Sequence, residues 1–289
     1  STNEAALAGI LKRYFGDFVC PPTPHSVKIT ALETPLAEAP VKLLEKKPDP
    51  GKTRIKEEFA EIEGGRVVKK KLTGMLFAFG RGVHLALGPC MDNPNQVVNF
   101  INNRFIEVKL SQGCLLCHSS AVRKGDFGIA FAGTSGAGKS TLALHVLARG
   151  ADFVSNDRLM VETIENGLFM HGVAKLPRIN PGTALTVKGL ENVMTPAERE
   201  EFSSLPEKDL WEKEHKYDVF IDDVYGPGRF SLSSPMCALA VLNWNRNGGD
   251  LEISEVNLAE REDLVGLFMK SPGLFYTPGE DSGGLPHEM

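Results

Sequence analysis

Apolar and polar positions change their spacing repeatedly along this chain, and each change predicts an element. Leu7, Ile10, Leu11 and Tyr14 recur at helical intervals and predict a short helix over residues 4–15. Residues 20–50 carry Pro21, Pro22, Pro24, Pro35, Pro40, Pro48 and Pro50. Such a run predicts an extended, wrapping segment with at most one short strand, around Val27 to Thr30. Residues 54–88 predict antiparallel strands, with turns at Gly64-Gly65 and Gly80-Arg81-Gly82. Pro94 to Phe105 predicts a helix opened by Asp92 or Asn93, and Ile106 to Leu110 predicts a strand.

From about residue 113 the pattern becomes strand, loop, helix, strand. Phe127 to Ala132 is a short apolar run that predicts a buried strand, and Ser140 to Arg149 predicts a helix with Leu142, Val146 and Arg149 on one face. Gly150 follows as its expected C-cap. Asp152 to Ser155 predicts the next strand, and Leu159 to Ile164 with Leu168 to Val173 predicts a hairpin across Glu165-Asn166-Gly167. Residues 196–215 are charged and partly helical in pattern. Val219 to Ile221 predicts a strand ending in Asp222-Asp223, Cys237 to Trp244 an apolar strand, and Leu258 to Met269 a last helix. A Gly- and Pro-rich tail after Ser271 is expected to be mobile.

The 289 residues leave room for one large domain or two ordinary ones, and 42% hydrophobic with 24% charged content is that of an ordinary globular protein. A net charge of −5 gives no global attraction to nucleic acid. Lys69-Lys70-Lys71 reads as a solvated strand end. No secretory signal and no apolar run of membrane-spanning length stand out, so a cytoplasmic, membrane-independent protein is expected, with its five cysteines mostly thiols.

The segment with most chemical content is Gly133-Thr134-Ser135-Gly136-Ala137-Gly138-Lys139-Ser140, which fits G-x-x-x-x-G-K-[ST], the phosphate-binding P-loop. Glycines let successive N–H groups curl around one anion, here the amides of Ser135 to Thr141. Lys139 would reach the β- and γ-phosphates and the Ser140 hydroxyl would ligate Mg²⁺. A predicted strand before the loop and a helix after it put the positive end of a helix dipole under the phosphates. The alternative is a glycine-rich turn that binds nothing.

His118 lies fifteen positions before Gly133, and Arg149-Gly150 leads into a strand ending Ser155-Asn156-Asp157. This resembles the HPr kinase/phosphorylase family over about residues 113–180, most closely its divergent HPr kinase-related members. The resemblance implies an α/β (α+β) fold: a phosphoenolpyruvate carboxykinase-like P-loop kinase core over 113–289, behind a β-rich N-terminal region over 1–112. It implies ATP and Mg²⁺ as cofactors and phosphoryl transfer to a serine of a protein partner, or, as an alternative, to a small-molecule hydroxyl. It implies Asp157 as metal ligand or base and His118 as a hydrogen-bond partner of phosphate or acceptor. Family members often assemble into hexamers, which leaves a homo-oligomer open here.

The chain departs from the family at Asn156, where the first acid of a pair would stand. An amide takes no proton near neutral pH, so Asn156 would only position groups while Asp157, or Asp222 or Asp223, supplies the base. The same substitution favours a different class of function, a sensor that binds ATP and transfers nothing. Lys175 and Arg178 lie where the family has its signature strand and loop, and would hold phosphate charge or be solvated. Asp222 at the end of an apolar strand looks like a Walker B acid, which would make the protein an NTPase.

Cys114-Leu115-Leu116-Cys117-His118 matches the c-type haem pattern, which is set aside for lack of an export signal. Cys114 and Cys117 with Cys20 or Cys90 would make a zinc site, against the plainer reading of two thiols on a buried strand edge. His84, His145, His171 and His215 have no partner visible in the sequence.

Overall fold

The computed structural model describes residues 1–21, 27–35, 37–48, 53–244 and 248–276. The chain divides into two compact units, Ser1–Gln112 with Pro272–Met289, and Gly113–Ser271.

The first unit is built on a six-stranded sheet. Its elements are α1 (Ala5–Phe15), β1 (Thr30–Glu33), β2 (Leu44–Glu45), β3 (Glu57–Ile62), β4 (Gly65–Lys70), β5 (Leu76–Gly80), β6 (Val83–Gly88) and α2 (Pro94–Ser111). Strand order is β1-β6-β5-β4-β3-β2. The two expected hairpins fall at Glu63-Gly64 and Arg81-Gly82. Alternation along β5 drives Phe77 and Phe79 into a core shared with Leu7 of α1 and Val97 and Phe100 of α2. β1 begins at Thr30, where the expected strand ended, and pairs parallel with β6. Pro22, Pro24 and Pro50 lie outside the described residues. Lys70 and Lys71 of the basic run pair with Glu57, Glu45 and Glu58 on neighbouring strands.

The strand expected over Ile106 to Leu110 is the last third of α2 instead. Val98, Asn102, Ile106 and Leu110 are all buried at four-residue spacing. That continuous helical face outweighs the strand preference of Ile106 and Val108. Asn93 stands at the N-cap, yet its side-chain amide donates to the Pro89 carbonyl at 2.9 Å rather than capping the helix.

Residues Pro272 to Tyr276 belong with this first unit and not with the 113–289 region expected from the sequence. The Phe275 ring packs on Phe77, Phe79 and Phe100 at centroid distances of 5.4, 5.8 and 6.2 Å. Arg66 donates to the carbonyls of Leu274 and Tyr276, and Arg104 to that of Phe275. The start of the tail is therefore docked rather than mobile, and residues 277–289 lie outside the described residues.

The second unit stacks two four-stranded sheets. It runs β7 (Leu115–Cys117), β8 (Ser120–Lys124), β9 (Phe127–Gly133), α3 (Lys139–Leu147), β10 (Asp152–Ser155), β11 (Leu159–Ile164), β12 (Gly167–Gly172) and β13 (Arg178–Ile179). There follow α4 (Pro181–Thr186), α5 (Pro196–Ser203), α6 (Glu207–Glu212), β14 (Tyr217–Asp218), α7 (Ile221–Tyr225), β15 (Ser233–Met236), β16 (Ala238–Leu242) and α8 (Glu262–Phe268). One sheet has the order β10-β8-β9-β16, the other β15-β12-β11-β7. Cys117, Ala121, Ala130, Leu159 and Met170 are packed together between them. Ala143 of α3 packs with Val122 and Phe131 of the first sheet, and Leu144 and Leu147 anchor a further core with the helices α4 to α7.

The apolar strand expected over Cys237 to Trp244 is shorter than its pattern: β16 pairs parallel with β9, while β15 just before it joins the other sheet. The expected strand Val219 to Ile221 is not one, because Asp222 and Asp223 sit in the first turn of α7. The Asp222 carboxylate accepts from the backbone N–H groups of Gly228 and Arg229 at 3.0 and 3.1 Å, so it is committed to closing a turn. The Walker B assignment is corrected accordingly. Among the described residues no helix is long and apolar enough to cross a membrane.

Candidate functional site

The glycine-rich loop leaves the end of β9 and enters α3 at Lys139. Gly133 has φ +142, and a Cβ there would stand 2.7 Å from the Leu242 carbonyl oxygen of the neighbouring β16. Gly138 takes the left-handed conformation at φ +85 immediately before the helix, a turn that a side chain would strain. No side chain caps α3, so its first N–H groups and the positive end of its dipole face the loop.

Lys139 is buried and folds back over the loop, its Nζ donating to the carbonyls of Gly133 and Thr134 at 2.8 and 2.9 Å. Burial pushes its pKa down, the negative charge of Asp157 pulls it up, and Lys270 adds to the lowering. Ser140 Oγ donates to Asn156 Oδ1 at 2.6 Å, and Ser120 Oγ of β8 donates to the same atom at 2.7 Å. Asn156 is thus a neutral acceptor held by two hydroxyls, tying the loop to the end of β10. Thr141 Oγ1 lies 2.9 Å from Thr183 Oγ1 of α4.

Asp157 follows Asn156 with φ +68, a left-handed backbone uncommon outside glycine that aspartate tolerates better than most residues. Its carboxylate is ringed by nitrogen groups, three of them from Lys or Arg. Lys175 Nζ donates at 2.7 Å, Lys270 Nζ lies at 3.4 Å, His118 Nε2 at 3.4 Å and Arg158 Nε at 3.9 Å. Burial alone would push the Asp157 carboxyl up. The hydrogen bond from His118 and the charges of Lys175 and Lys270 override it and hold the group far below the usual carboxylate range. Burial lowers the pKa of Lys175, while Asp157 works against that shift.

Three members of this cluster stand beside strand ends. His118 follows β7, Asp157 precedes β11, and Lys175 follows β12. Lys270 comes from beyond α8, where residues 268–270 run antiparallel to β7: His118 N–H donates to the Phe268 carbonyl at 2.6 Å and Lys270 N–H to that of Leu116 at 3.0 Å. Nothing in the sequence pointed to Lys270, which lies 113 positions from Asp157 in no motif. Arg178 stands elsewhere, its Nε 3.2 Å from Asp218 on the β13–β14 ribbon.

The C-x-x-C pair does not form a joint site. Cys117 points into the core between the sheets, and burial pushes its thiol up to about 12. Residues three apart on an extended chain face opposite ways, and Cys114 instead lies beside Glu162 and His171. Cys20 and Cys90 belong to the other unit.

No family model matches the chain, and no curated protein matches it. Among solved structures, the HPr(Ser) kinase/phosphatase from Coxiella burnetii is similar at 14% identity, over 47% of this chain and 70% of that one, with a TM-score of 0.29. A likeness of that size decides nothing about the site, which stands on its own geometry.

Proposed function

We propose that the chain is an ATP- and Mg²⁺-dependent phosphotransferase acting on a hydroxyl, in the first instance a serine of a protein partner. The observation that carries this reading is the Ser140–Asn156 hydrogen bond of 2.6 Å. It ties the glycine-rich loop, with its lysine, to the strand end that presents Asp157.

In this reading the amides of Ser135 to Thr141 and the start of α3 take the phosphates, and Lys139 exchanges its two carbonyl partners for phosphate oxygens. The oxygen donors suited to a hard cation are Ser140 Oγ and Asn156 Oδ1, with phosphate oxygens and water completing the set. A Mg²⁺ ion held by these residues would supply neutralisation of phosphate charge. Asp157 fits less well as a direct metal ligand, since Lys175 already occupies Oδ2.

The acceptor oxygen attacks the γ-phosphorus, the bond to the β–γ bridging oxygen breaks, ADP leaves, and the acceptor's proton passes to Asp157. A carboxylate held so far below its normal range is a poor base. An incoming phosphate that draws Lys175 and Lys270 toward itself removes that pull, so binding raises the basicity of Asp157. His118 hydrogen-bonds the acceptor or the carboxylate.

Asn156 favours a second reading, a sensor that binds nucleotide without turnover, because a neutral amide stands where catalysis of this type has an acid. The two are separated by incubating γ-labelled ATP and Mg²⁺ with an extract of the source cells. Label on a protein or metabolite that disappears with Asp157→Ala supports the kinase and reveals the acceptor. Bound nucleotide with no turnover replaces it with the sensor, and free phosphate alone makes the protein an NTPase.

A further inference from the structure

Away from the phosphate site, three side chains with metal-ligand chemistry meet on one face of the sheet β15-β12-β11-β7. The register sets Leu115 opposite Val161, Leu116 opposite Met160, and Met160 opposite His171. Continued by one residue, it brings Cys114 beside Glu162, with His171 diagonally across on the next strand. The Cys114 sulfur, a Glu162 carboxylate oxygen and a His171 ring nitrogen all lie within 4.8 Å of one another. His171 Nε2 and Glu162 Oε2 are 2.7 Å apart. Ligand atoms around a tetrahedral zinc stand about 3.5 Å apart, given metal–ligand distances of about 2.0–2.3 Å. Side-chain adjustments of about 1 Å therefore suffice for all three to share one ion.

We propose that Cys114, Glu162 and His171 bind one Zn²⁺, with a fourth position left to water. One thiolate, one imidazole and one carboxylate suit a borderline-soft cation and not Mg²⁺ or Ca²⁺, which take oxygen alone. On binding, the Cys114 thiol releases its proton to solvent, the sulfur–metal bond forms, and the hydrogen bond between His171 and Glu162 gives way to two metal bonds.

The consequence is structural. His118, Asp157 and Lys175 flank the same three strands, four, five and four residues away from Cys114, Glu162 and His171 along the chain. A metal tie across β7, β11 and β12 fixes the register that assembles that cluster. It does so whether or not the cluster transfers phosphate.

The full chain is purified from zinc-supplemented cells, desalted over chelating resin and assayed for metal. One zinc per chain is expected, with affinity reduced about tenfold or more in Cys114→Ser and in His171→Ala. Cobalt exchanged into the wild type should show a thiolate-to-metal charge-transfer band that Cys114→Ser lacks. The wild type alone supplies a second readout should a variant fail to fold: a strong chelator should lower its urea midpoint, and stoichiometric zinc should restore it. Wild type that takes up neither metal, or Cys114→Ser that keeps zinc with unchanged affinity, overturns the proposal.

Discussion

Asn156→Leu keeps the branched shape of the side chain and removes the atom that receives two hydroxyls. Ser120 is fully buried, so its Oγ–H, which now donates to Asn156 at 2.7 Å, loses its partner where water does not reach. A stranded buried hydroxyl costs about 1–3 kcal/mol, and the loss of the Ser140 bond, half-exposed and able to turn to water, about 0.5–1.5 kcal/mol. The expected destabilisation is about 2–4 kcal/mol. Trp211 and Trp244, the only tryptophans, both lie in the Gly113–Ser271 unit, so urea unfolding followed by tryptophan fluorescence reads this unit directly. Ser120→Ala in the Asn156→Leu background removes the stranded donor and should recover part of the loss, a coupling of about 0.5–3 kcal/mol. Asn156→Asp keeps the accepting oxygen and should cost less than Asn156→Leu. A change below about 0.5 kcal/mol in Asn156→Leu, the size of an ordinary surface substitution, would refute the claim that this amide holds the loop to β10.

Other residues make separate predictions. The folded Asp157 carboxyl is held below its unfolded value of about 3.9, so its contribution is complete above that pH and lost as pH falls through the folded value. The urea-midpoint gap between wild type and Asp157→Asn should therefore narrow as pH drops from about 6 to about 3. Lys270→Ala should slow phosphoryl transfer about tenfold or more while the protein stays folded, since a charge that settles the developing phosphate is lost. Asp222→Ala should leave transfer unchanged and lower stability by about 1 kcal/mol, the worth of its turn hydrogen bonds. Arg104 is buried under Phe79, with its guanidinium carbon 4.0 Å from the ring centroid, and bonded to Glu107 and the Phe275 carbonyl. Arg104→Ala should cost about 2–5 kcal/mol by circular-dichroism melts, because it empties the space under Phe79 and removes the donor to the Phe275 carbonyl.

What the sequence made legible was local. The strand, glycine loop and helix around Gly133–Ser140 follow from spacing within one stretch, and the hairpins follow from Gly64 and the Arg81-Gly82 turn. Ile106 to Leu110 reads as a strand because β-branched residues favour strands intrinsically, whereas the buried four-residue repeat of α2 is settled by packing. Asp222 carried the outward form of a metal-binding acid, but its carboxylate serves the Gly228–Arg229 turn, a contact that spacing does not encode. Lys270 and the Cys114–Glu162–His171 group depend on which strands pair and in what register. Such long-range choices leave no signature at either end of the contact. For Cys114 a partial signal existed in the C-x-x-C pattern, but that pattern joined it to Cys117, which the alternation of a strand turns to the opposite face.

The proposed function rests on one property, that the Gly133–Ser140 loop holds a nucleoside triphosphate through Lys139. Isothermal titration of wild type and Lys139→Ala with Mg²⁺ and a non-hydrolysable ATP analogue tests it directly. Saturable one-to-one binding by wild type, weakened about tenfold or more in Lys139→Ala, is the expected result. No binding by folded wild type, or equal binding by both proteins, would contradict it.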